Sequence, residues 1–278
     1  MIRFSKKGIR SRTVSISVAG RKVKLLILTP PEAPQGAPGV LWIHGGGYMT
    51  GMKEMAFMGR AADLVRNHGA VVISVGYHLS FRYPYPTALN ECYEALRYMK
   101  AHAAELGINP NQLMVGGESA GGGLTAAVCM LARDKKEVNV AFQMPLYPMI
   151  DNFDTESSRN NHAKIWNTRR NHQAWYMYLR KDAKKEVSPY AAPARQTDYR
   201  NLQPCYTFVC TAEPFLDETL AYVENLKKAG VEAQADVYEG MYHAFDMMEP
   251  DHPTSQEAIR KFNESFAYAK GHFFSENE

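Results

Sequence analysis

The sequence predicts an α/β fold, a mostly parallel, doubly wound sheet with helices on both faces. Six short apolar runs lack a clean polar face, which is typical of strands covered on both sides. These runs are 40–43, 71–75, 113–115, 140–144, 206–210 and 233–238. Helical patterns alternate with them over roughly 53–68, 87–105, 120–133, 215–229 and 254–273. Such alternation favours parallel strands joined by helical crossovers.

Two further segments complete the predicted domain organisation. Residues 13–18 and 23–29 flank a glycine-containing turn and predict an opening β-hairpin. The stretch at about 151–201 interrupts the rhythm because it is long, polar and rich in aromatic residues. We interpret it as a small inserted cap, so that residues 1–278 form a single domain with one cap insertion.

The composition argues against several classes of protein. With 32 Lys and Arg against 29 Asp and Glu, the net charge of +3 gives no electrostatic case for nucleic acid. No run reaches the ~18 apolar residues of a membrane span. The four cysteines form no CxxC pair and are typical of buried thiols. We therefore expect a cytoplasmic protein with a small-molecule substrate, no metal and no cofactor, and we leave self-association to a homo-oligomer open.

The strongest local motif is the G-x-S-x-G segment 117–121, with Ser119 at its centre. It follows an apolar strand and precedes a helix-forming run, which is the context that a nucleophile elbow requires. A serine on such a turn presents its hydroxyl at a helix amino terminus, where free amides favour an anion. A purely structural turn and a nucleotide-binding loop are the alternatives, and the second lacks the expected lysine and acidic residue. We predict a nucleophilic serine.

A second motif, H-G-G-G over residues 44–47, directly follows the strand 40–43. Glycines let two backbone amides converge on a carbonyl oxygen that gains negative charge, so this loop predicts an oxyanion hole. An H-G-G-G loop followed downstream by G-x-S-x-G is far more specific than either motif alone.

His243 is the predicted general base, because it lies just beyond the last strand and neutral imidazole accepts a proton near neutral pH. A carboxylate between the serine and this histidine must orient the ring. Glu213 comes directly after the strand 206–210, and Asp217 lies about one helical turn later. We favour Glu213 and keep Asp217 as the alternative acid.

With these residues in place, the chain resembles the bacterial hormone-sensitive-lipase-like esterases, a branch of the α/β-hydrolase superfamily. The resemblance covers about residues 38–275 and is carried by both motifs, the acid and histidine segments, and residues 77–80, 83–90 and 188–193. It implies the α/β-hydrolase fold and an oxyanion hole formed by the amides of Gly46, Gly47 and Ala120. It also implies a triad of Ser119, Glu213 and His243.

Two departures from the family pattern concern the proposed site. The family usually has aspartate before the nucleophile, where this chain has Glu118. It usually has Asp-Pro-Leu-Arg-Asp where this chain reads Glu-Pro-Phe-Leu-Asp from Glu213.

The H-G-G-G motif begins at His44, which leaves little chain for the amino-terminal helices that cover the site in this family. We therefore expect a more open site, roofed mainly by residues 151–201.

These observations predict a serine carboxylesterase that hydrolyses short-chain acyl esters through an acyl-enzyme intermediate. Aromatic side chains suggest a modest walled substrate pocket. These are Tyr48, Trp166, Trp175, Phe215 and Tyr242. The same site would serve an amidase, an arylformamidase or an acetyl-carbohydrate esterase. The alternative in which the protein is not an enzyme is a ligand receptor that reuses the pocket, and the intact serine and histidine disfavour it.

Overall fold

A computed structural model describes residues 7–32 and 34–277 of the chain. Eight strands form one sheet; they are β1 (Arg10–Val18), β2 (Arg21–Thr29), β3 (Ala37–Ile43), β4 (Val71–Gly76), β5 (Ile108–Glu118), β6 (Phe142–Leu146), β7 (Cys205–Cys210) and β8 (Ala233–Tyr238). The helices are α1 (Arg60–His68), α2 (Thr87–Ala101), α3 (Ala103–Leu106), α4 (Ala120–Lys135), α5 (Thr168–Leu179), α6 (Leu216–Lys228), α7 (Phe245–Met248) and α8 (Pro253–His272).

The strand order is β1-β2-β4-β3-β5-β6-β7-β8. The opening hairpin β1–β2 and the pair β2–β4 are antiparallel, and every other neighbouring pair is parallel. The predicted α/β-hydrolase fold, a mostly parallel sheet flanked by helices, is confirmed. Because parallel strands end at one edge of a sheet, the loops after β3, β5, β6, β7 and β8 meet there.

Apolar residues of the central strands point alternately to two cores, one on each face of the sheet. In β3, Leu41 and Ile43 join the core beneath α2 and α4, whereas Val40 and Trp42 join the core beneath α1 and α8. Burying an aliphatic side chain of this size contributes about 1.5–3 kcal/mol. Burial on both faces explains why the strand sequences lack a polar side.

Two predicted helices are shorter than their patterns. The pattern over 53–68 divides into a 3₁₀ turn at Lys53–Phe57 and helix α1, with Gly59 in extended backbone between them. A Cβ atom at Gly59 would lie 2.9 Å from Oε1 of Glu118, so the close approach of that carboxyl needs a glycine. The pattern over 87–105 likewise divides at His102, between α2 and α3.

The chain between β6 and β7 carries α5 and two 3₁₀ turns, Arg180–Asp182 and Pro193–Arg195. It departs from the sheet at the edge where the other loops meet. None of the helices in the described part of the chain is both long and apolar enough to cross a membrane.

Candidate active site

Ser119 occupies a sharp turn between the end of β5 and the start of α4. Its backbone has φ 59° and ψ −121°, a conformation that costs on the order of 1–3 kcal/mol for a residue with a side chain. The surrounding chain holds it there, because the Ser119 amide donates to Leu146 O at 3.0 Å. The Ser119 carbonyl accepts from the amides of Gly123 at 2.9 Å and Met149 at 3.0 Å.

The helix after this turn passes close to the end of β3. A Cβ atom at Gly121 would lie only 2.0 Å from the carbonyl oxygen of Ile43, so only glycine allows this approach. The turn therefore has the form of a nucleophile elbow, with the serine side chain at the amino terminus of α4.

A chain of hydrogen bonds links this serine to a histidine and a carboxylate. His243 Nε2 lies 2.9 Å from Ser119 Oγ, and His243 Nδ1 donates to Oε2 of Glu213. The other oxygen of Glu213 accepts from the Cys210 amide at 3.0 Å and from the Cys210 thiol at 3.1 Å. Because the carboxylate holds the proton of the ring on Nδ1, Nε2 is free to accept the proton of the serine hydroxyl.

Asp217 lies in the first turn of α6 and makes a different contact. Its Oδ2 accepts a hydrogen bond from the Ser157 amide at 2.7 Å. The Ser157 hydroxyl in turn donates to Pro214 O at 2.9 Å. The structure thus brings Glu213, and not Asp217, to the histidine.

The glycine loop after β3 packs directly on the elbow. A Cβ atom at Gly45 would lie 3.2 Å from Cβ of Ser119, and Gly47 has a φ of +60°. Within the ranges described, the amides of Gly46, Gly47 and Ala120 donate to no protein acceptor. They are therefore available to an oxygen that develops charge beside the serine.

His44 supports this loop from beneath. Its Nδ1 donates to the Gly45 carbonyl at 2.8 Å, and its ring stacks on Tyr77 with 4.2 Å between ring centroids. Burial lowers the pKa of His44 to about 4, so the imidazole is neutral at physiological pH. A neutral ring here adds no charge beneath the loop.

Two of the five predicted pocket aromatics lie beside His243. The ring centroids of Phe215 and Trp166 are 5.1 Å and 6.2 Å from that of His243. The Trp166 indole also packs on the glycine loop, since a Cβ atom at Gly47 would lie 2.3 Å from Trp166 Cη2. Trp166 Nε1 makes a long hydrogen bond of 3.4 Å to Asn171 on α5.

The other three predicted aromatics make contacts elsewhere. Tyr48 donates to the Met149 carbonyl at 2.8 Å, and burial raises its pKa well above the usual range. Trp175 is 2% exposed and packs against Tyr48, with 5.7 Å between ring centroids. Tyr242 donates to Glu249, and the Lys164 ammonium lies 5.7 Å from its ring centroid.

Two residues next to the histidine were not among the predicted site residues. The Tyr147 ring meets His243 edge-on at 5.0 Å, and its hydroxyl donates to Asp246 Oδ1 at 3.0 Å. Burial raises the pKa of both Tyr147 and Asp246. Their places in the sequence could have indicated these two residues, since Tyr147 immediately follows β6 and Asp246 lies three residues after His243.

Residues 40–247 match a family model described as the alpha/beta hydrolase fold. An AB hydrolase superfamily protein of Schizosaccharomyces pombe is 32% identical over 222 residues, which are 76% of this chain and 64% of that protein. An arylesterase of Saccharolobus solfataricus is also 32% identical, over 84% of this chain and 76% of that protein.

Among solved structures, a bacterial heroin esterase superposes with a TM-score of 0.87 at 34% identity, covering 92% of this chain and 83% of the other. These similarities confirm the predicted resemblance and the prediction of a carboxylic ester hydrolase. The matched region runs from β3 past the histidine and includes both glycine motifs. The chain belongs to the α/β-hydrolase-fold family, in its hormone-sensitive-lipase-like branch.

Proposed function

We propose that this protein is a serine carboxylesterase that hydrolyses short-chain acyl esters through an acyl-enzyme intermediate. The observation that carries the proposal is the buried hydrogen-bond chain from Ser119 Oγ through His243 to Glu213. A serine hydroxyl becomes a useful nucleophile when a neutral imidazole accepts its proton, and a buried carboxylate stabilises the imidazolium that forms.

In the proposed reaction, Ser119 Oγ attacks the ester carbonyl while His243 Nε2 takes the hydroxyl proton. The carbonyl oxygen becomes an oxyanion, to which the amides of Gly46, Gly47 and Ala120 donate. His243 then returns the proton to the leaving alcohol, and the acyl group remains on the serine. A water molecule repeats the sequence with the imidazole as its base and releases the acid.

Trp166 supports the preference for short acyl groups. Its indole lies between the glycine loop and His243, within contact of Gly47 and beside Phe215. A wall between the glycine loop and His243 leaves room for a small acyl group and blocks the path of a long one. The segment 151–201, which carries Trp166, would act as the cap of a single catalytic domain.

We also propose a cytoplasmic location. The four cysteines are free and buried, although the chain has enough of them for two disulfides. Free thiols are typical of proteins kept in a reducing compartment.

Initial rates on p-nitrophenyl esters, from acetate to decanoate, test the proposal. We expect the native protein to hydrolyse the shortest esters best. Ser119→Ala should lose roughly 10⁴-fold or more in kcat. Ser15→Ala, an exposed serine of β1, is the matched control and should keep the native rate.

Covalent labelling by a fluorophosphonate distinguishes the alternatives. A labelled Ser119 with turnover of anilides or formamides, and none of esters, would favour the amide-cleaving alternative. The absence of both labelling and turnover would contradict an activated serine and would favour the ligand receptor.

A further inference from the structure

A cluster of charged side chains lies buried behind the candidate active site, and the proposed mechanism does not use it. Arg60, the first residue of α1, places Nε 3.6 Å from Asp246 Oδ2 and Nη2 3.3 Å from Asp63 Oδ2. The Glu118 carboxyl accepts a hydrogen bond of 2.9 Å from the indole Nε1 of Trp42. The cluster joins β3, β5, α1 and α7.

This cluster is connected to both Ser119 and His243. Glu118 immediately precedes Ser119 in the chain, and Asp246 lies three residues after His243. Tyr147 links Asp246 to His243, since its hydroxyl donates to Asp246 at 3.0 Å and its ring meets His243 edge-on. A shift of either carboxyl would therefore move a residue of the proposed triad.

The charges in the cluster do not balance if every carboxyl is ionised. Arg60 pairs with Asp246 and Asp63, and its charge also acts on the carboxyl of Glu118, so one cation serves three carboxyls. The Asp63 side chain is 21% exposed and can be hydrated, whereas that of Asp246 is fully buried. Glu118 is also buried and, among the residues described, makes no ion pair. Its hydrogen-bond donors, the Trp42 indole and its own backbone amide, are both neutral. A buried carboxyl without a cation of its own favours the protonated form.

We propose that Glu118 is a neutral carboxylic acid at physiological pH and acts as a positioning residue. In this state it packs beside the Asp246–Arg60 pair and fixes β5, which leads into Ser119, against the segment that carries His243. Ionisation of Glu118 would place a second negative charge beside Asp246, and the repulsion would separate these segments.

The electrostatic environment supports this assignment. Burial and the charge of Asp246 raise the pKa of Glu118 from its ordinary 4.5 to about 8, while the Trp42 hydrogen bond and the Arg60 charge oppose the rise. The folded protein therefore binds this proton more tightly than the unfolded chain does between those two pH values. The free energy of unfolding should fall as the pH rises from 4.5 to about 8 and level off above.

Thermal unfolding of Glu118→Gln tests the proposal, because the amide copies the shape and neutrality of the protonated acid. Its carbonyl oxygen can still accept from Trp42. We expect the Tm of the variant to exceed that of the native protein by several degrees at pH 8, and the difference to shrink towards zero at pH 5. Glu239→Gln, an exposed glutamate, is the matched control and should show a difference independent of pH.

Two outcomes would overturn the proposal. One is a variant that loses the same stability at pH 5 and pH 8, which would mean that the folded protein needs the carboxylate. The other is a Glu118→Gln variant that does not fold, because an amide should replace a neutral acid at this position.

The second readout is the pH profile of ester hydrolysis, and this part alone rests on the proposed function. We expect kcat of the native protein to fall reversibly above about pH 8, with KM little changed, as Glu118 ionises. Glu118→Gln should lack this alkaline decline. A decline of the same midpoint in the variant would refute the positioning role, whereas an absence of any hydrolysis would contradict the proposed function and leave the Tm test standing.

Discussion

Substitution of Gly47 by alanine would place a methyl group where the glycine loop meets Trp166. The new Cβ would lie 2.3 Å from Trp166 Cη2 and 3.3 Å from the Ala174 side chain. The first distance is far inside van der Waals contact, so the loop or the indole must move. The φ of +60° adds about 1–2 kcal/mol of backbone strain for a residue with a Cβ atom.

Displacement of the loop would take the Gly47 amide away from the oxyanion. Loss of one such donor costs on the order of 3 kcal/mol in the transition state, which corresponds to a fall in kcat of about 10²–10³-fold. Because the donor acts on charge that develops during reaction, KM should change much less than kcat. Gly47→Pro should be at least as damaging, since proline cannot donate and its ring excludes this φ.

Steady-state hydrolysis of p-nitrophenyl acetate measures the effect. Gly20→Ala is a matched control, because Gly20 has a φ of +76° in the β1–β2 turn and no atom near its Cβ position. It should lose about 1 kcal/mol of stability through the same backbone strain and keep the native kcat. A Gly47→Ala/Trp166→Ala double variant should regain part of the lost rate. Native kcat in Gly47→Ala or Gly47→Pro would refute the oxyanion-hole proposal.

Two further predictions concern the acid and the pocket wall. Glu213→Gln should lower kcat by roughly 10⁴-fold, because an amide does not stabilise the imidazolium, whereas Asp217→Asn should stay near the native rate; equal losses would contradict the assignment of the acid. Trp166→Ala should raise kcat/KM for octanoyl relative to acetyl esters by opening the acyl path. Tyr176→Ala, an exposed neighbour on α5, is its control, and an unchanged chain-length profile in Trp166→Ala would rule out a wall at this position.

The sequence predicts those parts of the site that depend on local motifs. Ser119 lies in a strand–turn–helix motif whose glycines determine its geometry, and His243 follows the last strand of an alternating pattern. The sequence favours Glu213 over Asp217 as the acid but leaves Asp217 open, since both follow β7. The choice depends on the path of the loop, which the hydrogen bond from the Cys210 amide to Glu213 fixes.

Contacts between distant segments are what the sequence could not reveal. Arg60 and Asp246 meet only because α1 and α7 pack on the same face of the sheet, and no periodic pattern encodes that meeting. The aromatic residues show the same limit. Trp166 and Trp175 are nine positions apart in the interrupted segment, yet one lies beside His243 and the other packs on Tyr48.

The hydrogen bonds at Ser119 connect β5 to a segment that is made much later in the chain. Leu146 accepts from the backbone amide of Ser119 and Met149 donates to its carbonyl, so the strained turn is stable only after β6 has docked beside β5. A partly folded chain with an unpaired β5 would carry the complete motif without a poised hydroxyl. Reactivity towards a fluorophosphonate during refolding should therefore appear with the assembly of the central sheet. Labelling of the serine would then report the time at which that step occurs.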